Sequence, residues 1–170
     1  MENKNIFAQW DSADLEGIQK DVQKAKEEGG NFEEVPYGSY EVSIEKMELK
    51  ATKVDKNSDD PKKHVARPMV SIWFNIVDGE HEGQKIFMNQ VIYGENAGFQ
   101  IHIVNELLRS MVQKCVNAPV IEFKSYTQYN DLLMDIHELV SESFEYKLKY
   151  DKTKKGFSTF AITEVYALED

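Results

Sequence analysis

The chain has 170 residues, a formal net charge of −10 and a single cysteine, Cys115. These values leave room for one domain with an accessory segment, permit a core without metal or disulfide staples, and exclude an internal disulfide framework. The acidic balance is opposite to the basic footprint of a general nucleic-acid binder.

No apolar run approaches the roughly 20 residues a bilayer-crossing helix needs, and the opening Met-Glu-Asn-Lys-Asn lacks a signal-peptide pattern. A cytoplasmic protein is expected. The charge is unevenly spread: residues 46–67 carry a net of +3 and residues 146–157 a net of +4, while residues 1–34 and 78–145 carry −5 and −7. Two basic islands in an acidic chain can line a local anion-binding groove, although lysine-rich loops are also simply soluble loops.

Residues 1–34 read as a helical appendage. Ile6, Phe7 and Trp10 form an apolar patch, and Asp11-Ser12-Ala13-Asp14 offers a helix start with acids near its positive end. Leu15, Ile18, Val22 and Ala25 recur at helical spacing until Gly29-Gly30. Tyr40, Val42 and Ile44 then alternate as a strand, but Met47 and Leu49 are apolar one position late. Such a slip predicts a β-bulge and a strongly bent strand. Residues 51–68 are polar and read as a long mobile loop, a length that usually has a function.

From Met69 to Tyr93, two β-branched and aromatic runs flank Asp78-Gly79-Glu80-His81-Glu82-Gly83-Gln84, the pattern of a hairpin. Val70, Ile72, Phe74 and Ile76 share a core face, while Met69, Ser71, Trp73, Asn75 and Val77 share the other. An indole among small polar residues implies either a flat ligand or a covering element. Residues 99–113 form a helix with Phe99, Ile103, Val104, Leu107, Leu108 and Met111 as its stripe, and Cys115 just beyond reads as a small core residue. Ser125-Tyr-Thr-Gln128 is a capping box opening a second helix to about Glu142. Two strands close the chain: Phe144, Tyr146, Leu148 and Tyr150 alternate, a turn ends at Gly156, and Phe157 begins the return.

Strand, strand, strand, helix, helix, strand, strand predicts an α+β, mainly β class. The expected architecture is a five-stranded OB-fold-like barrel over residues 35–170, with helices between strands 3 and 4 and the appendage at 1–34. Such barrels bind oligonucleotides across strands 2 and 3 and with the loops joining strands 1–2 and 4–5. Here those loops are the two lysine islands. The expected site is therefore Trp73 as a stacking residue and Phe157 as a second. Lys53, Lys56, Lys62, Lys63 and Arg67 would form one rim, and Lys147, Lys149, Lys152, Lys154 and Lys155 the other. Phe87 and Tyr93 are weaker candidates, because third-strand aromatics more often belong to a core.

Chemistry finds little purchase. His64, His81, His102 and His137 form no His-x-Glu or His-Glu-x-x-His pattern, and no Cys-x-x-Cys or Walker lysine occurs. No enzyme, metal or cofactor is expected, and the acids around His81 read as an exposed polar turn.

Several stretches resemble the DUF669 family of bacteriophage proteins. They are Val35-Pro36-x-Gly38-x-Tyr40-Glu41-Val42, Lys46-Met47-Glu48-Leu49-Lys50, Ile72-Trp73-Phe74-x-Ile76, Phe87-Met88-Asn89-Gln90-Val91 and Gly98-Phe99-Gln100-Ile101-His102. The resemblance implies a phage protein working in the host cytoplasm on single-stranded DNA during replication and recombination, alongside phage or host proteins. It covers residues 35 to 110 and carries no catalytic signature. A homo-oligomer would add affinity along one strand. The alternative is an acidic phage protein that binds a host protein as an inhibitor or DNA mimic; acids along one exposed face would favour it, a continuous basic groove the first.

Overall fold

Why the hydrophobic pattern gives a curled sheet is visible strand by strand in the computed structural model, which describes residues 35–168. The expected helical appendage, with Ile6, Phe7 and Trp10, lies outside the described residues. Strand β1 spans Gly38–Ala51, β2 Pro68–Ile76, β3 Lys85–Val91, β4 Phe144–Lys152 and β5 Ser158–Ala167. All neighbours are antiparallel, in the order β3-β2-β1-β4-β5. β3 and β5 are therefore the edges, and the sheet is not closed.

The slip in β1 is a bulge between Ile44 and Lys46. It keeps Val42, Ile44 and Met47 on the buried face despite the odd spacing, and a bulge bends and twists its strand. The first part of β1 pairs with β4 only as far as Val42↔Tyr146. Along the rest of that edge the helix Tyr126–Val140 takes over, and the Asn130 Oδ1 accepts the Leu49 N–H at 2.9 Å.

Curling is also written in the aromatics. The Phe74 and Phe160 rings stack 6.2 Å apart although β2 and β5 are three strands apart. In a flat sheet three spacings would separate the strands by about 14 Å. Val70, Ile72, Phe74 and Ile76 are all fully buried inside this curl, as the alternation predicts.

Helix α1 spans Ala97–Val112 and α2 spans Tyr126–Val140. The capping box forms as expected, with Ser125 accepting from the Gln128 N–H and the Gln128 side chain reaching back. Tyr129, Leu132, Leu133, Ile136 and Val140 are buried on α2. The buried stripe of α1 is Val104, Leu107, Leu108, Met111 and Val112, whereas Phe99 and Ile103 are 68% and 41% exposed. At 100° per residue both lie roughly 100° or more from the stripe's centre, so apolar character alone misplaced them.

Helix α1 packs against both edge strands, β5 and β3. Near its end the Lys114 Nζ donates to the Val165 carbonyl of β5 at 2.8 Å. Cys115 packs against the core, and burial pushes its thiol pKa up.

Candidate nucleic-acid interface

Because β2 buries its even-numbered residues, Met69, Ser71, Trp73 and Asn75 face away from the core. The bulge brings Lys46 and Glu48 of β1 onto the same outward face, in register with Trp73 and Ser71, and β3 adds Phe87 and Asn89 to those rows. The result is a patch of aromatic, amide and lysine side chains across three strands.

Trp73 is half-buried rather than freely exposed. Its Nε1 donates to the Ser71 Oγ at 3.2 Å, and the Ser71 hydroxyl donates to the Asn89 Oδ1 at 3.0 Å. Ser71 is completely inaccessible although it sits on the outward face, so the indole lies along β2 and is tied there. The Lys46 Nζ sits 4.8 Å from the indole ring centroid and 3.2 Å from the Glu48 carboxylate. On β3 the Phe87 ring meets Trp73 edge-on, 5.3 Å away at 89°. Phe87 is 39% exposed, so this third-strand aromatic is not part of the core. Tyr93, just past β3, is also exposed.

The first lysine island is more structured than a featureless loop. A 3-10 turn spans Pro61–His64, capped by the Asp60 carboxylate on the Lys62 N–H. The Asp55 N–H bonds the Lys63 carbonyl at 2.7 Å across the loop, and the His64 Nε2 lies 2.7 Å from the Ser58 carbonyl. Short-range side-chain acceptors from Asp55, Ser58 and Asp60 organise a segment whose composition reads only as polar. Lys53, Lys56, Lys62 and Lys63 project from it, exposed. Arg67 does not join them: it is half-buried at the loop stem, hydrogen-bonded through its backbone to Thr52.

The second island is the β4–β5 hairpin. Lys149, Lys152, Lys154 and Lys155 are exposed there, and Phe157 is 68% exposed. Lys152 lies 5.9 Å over the Tyr37 ring, which packs 4.7 Å from Tyr150; Tyr37 is an aromatic at this island that sequence reasoning passed over. Lys147 sits on the outward face of β4 between Glu41 and Glu164 of the flanking strands, so its charge is locally opposed.

The two islands occupy opposite ends of β1. Thirteen residue steps at the usual rise separate them by at most about 43 Å, with the Trp73 row in between and nearer the first. Cations are concentrated at the two ends, and the strands between them carry Lys46–Glu48 and Lys85–Glu45 pairs. Sequence reasoning missed Lys46 and Asn89, and it placed Ser71 on the face of Trp73 without its hydrogen bonds to the indole and to Asn89. The phase slip in β1 signals that Lys46 faces outward, but its place beside Trp73 depends on strand register.

A second surface has a different character. Asp131, Asp135 and Glu138 form an exposed row along α2, bordering a cleft of about 680 Å³ shared with Lys46, Met47, Glu48, Met134 and His137. Among the described residues no cluster of three or more His, Cys, Asp or Glu side chains could hold a metal ion, and no helix is long and apolar enough to cross a membrane.

The described residues thus define a mainly β, α+β domain with an aromatic–lysine patch on the outward face of an open antiparallel sheet. The family described as "Protein of unknown function (DUF669)" matches residues 20–135, well over half of the chain, and the protein belongs to it. No curated protein matches.

Proposed function

We propose that this protein binds single-stranded DNA, as a phage protein acting in replication and recombination in the host cytoplasm. The observation that carries the reading is the outward Trp73–Phe87–Lys46 cluster, because a structural tryptophan has little reason to sit on the convex side of a sheet beside a half-exposed phenylalanine. Bases would stack on these aromatics, each worth about 1–3 kcal/mol. Phosphates would be met at the two ends of the strip, by Lys53, Lys56, Lys62 and Lys63 and by Lys149, Lys152, Lys154 and Lys155, with Phe157 and Tyr37 as further platforms.

In this reading the curled sheet is an OB-fold-like barrel left open between β3 and β5. Its strand order is that of a five-stranded barrel cut at one seam, and the Phe74–Phe160 stack supports the curvature. The proposed mechanism needs no catalysis and no cofactor. Its partners are single-stranded DNA and, through other surfaces, replication or recombination proteins.

The test is a fluorescence-anisotropy titration of labelled oligo-dT at low and high salt, with wild type beside Trp73→Ala. Saturable binding that weakens with salt and falls about tenfold or more in the variant is the expected result. Absence of binding at low salt sinks the reading. The carboxylate row of α2, Asp131, Asp135 and Glu138, supports the second reading, an acidic protein that engages a host protein as an inhibitor or DNA mimic.

A further inference from the structure

The outward face of β2 holds a ring that cannot easily move beside a cation that can. Trp73 is tethered through Nε1 to Ser71, and Ser71 to Asn89, beneath an indole that leaves Ser71 no accessible surface. Phe87 braces the indole from β3. Lys46, by contrast, reaches across from β1 on a flexible four-carbon stem, with its ammonium over the indole and within reach of Glu48. A cation over an indole is attracted by the ring's negative face, and that is the face a nucleobase would use.

We infer that Lys46 occupies the place of a base on Trp73 in the free protein and exchanges the indole for a phosphate when a strand binds. This inference rests on the single-strand reading and deepens it: Lys46 sets how the site's affinity divides between stacking and charge. Removing the ammonium uncovers the ring and at the same time deletes one phosphate contact. The two effects have opposite signs, and salt separates them because a phosphate contact weakens with salt through counterion release far more steeply than a cation–π contact at 4.8 Å does.

Wild type and Lys46→Ala are titrated with oligo-dT from low to high salt, and again with an uncharged methylphosphonate oligo-dT. At low salt the variant binds more weakly, and its log–log salt slope is shallower by about 0.7. The two curves then cross, and at high salt the variant binds roughly two- to five-fold tighter, the range a released cation–π contact gives. On the uncharged oligomer the variant is tighter at every salt concentration. Lys46→Gln, which keeps more of the side chain, shows the same crossing and guards against a folding defect in the alanine variant.

Curves that converge at high salt without crossing, or a variant weaker throughout, overturn the inference and leave the single-strand reading standing. Failure of wild type to bind overturns both. A readout without DNA is acrylamide quenching of selectively excited tryptophan emission in a Trp10→Phe background, where Trp73 is the sole tryptophan. Quenching rises in Lys46→Ala, and an unchanged quenching constant overturns the inference.

Discussion

Tyr146→Phe tests the account of how α1 is held against the sheet. Tyr146 projects from β4 into the core with no accessible surface, and its hydroxyl donates to the Met111 carbonyl in the last turn of α1 at 2.8 Å. The substitution removes one oxygen and preserves the ring. A buried hydrogen bond is worth about 1 kcal/mol net, and a buried carbonyl that loses its donor costs about 1–3 kcal/mol. The expected loss is about 2 kcal/mol, or roughly 4–8 °C in midpoint for a chain of this size. Urea unfolding followed by circular dichroism measures it. Tyr166→Phe is the control: its phenol bonds Glu164 on the exposed outward side of β5, where the loss is expected to be small. A destabilisation below about 0.5 kcal/mol in Tyr146→Phe would refute the assignment, because a buried orphan carbonyl cannot cost so little.

Gly156 closes the β4–β5 hairpin at φ +88°, with open space where a Cβ would go. Gly156→Ala is therefore expected to cost about 1–2 kcal/mol through backbone conformation alone, read from the same unfolding curves; a neutral outcome would place the turn in another conformation. Alkaline pH gives a further test. Burial pushes the phenol pKa values of Tyr129 and Tyr146 up. Above about pH 10 the unfolded chain sheds phenolic protons that the folded chain keeps. Stability from these groups is fully present below that pH and falls as pH rises beyond it. Urea midpoints on either side of that pH measure the fall, and Tyr129→Phe and Tyr146→Phe should each flatten it.

Elements whose partners are local were the legible ones. The alternation of Val70, Ile72, Phe74 and Ile76 identified a buried strand face because strand periodicity depends on the backbone alone. The Ser125–Gln128 capping box marked the start of α2 for the same reason, since both bonds close within four residues. The slip at Met47 announced the bulge. Phe99 and Ile103 were misread because a helical stripe has a width that only the opposing surface defines, and α1 presents Val104, Leu107, Leu108 and Met111 instead. Residues 51–68 read as a mobile loop, since nothing in their composition shows that Asp55 and Lys63 meet across it.

For the candidate site the division is sharper. By itself the sequence determined that Trp73 shares a face with Ser71 and Asn75 and that lysines gather in the first and last β-connections. All of this follows from residue type and spacing along one segment. Only the tertiary structure decided that Lys46 covers the indole, that Phe87 faces outward beside it, that Arg67 belongs to a loop stem, and that the lysine islands lie at opposite ends of β1. Those placements depend on strand register and on the edge along which β4 joins β1, and both are set by contacts between residues distant in the chain.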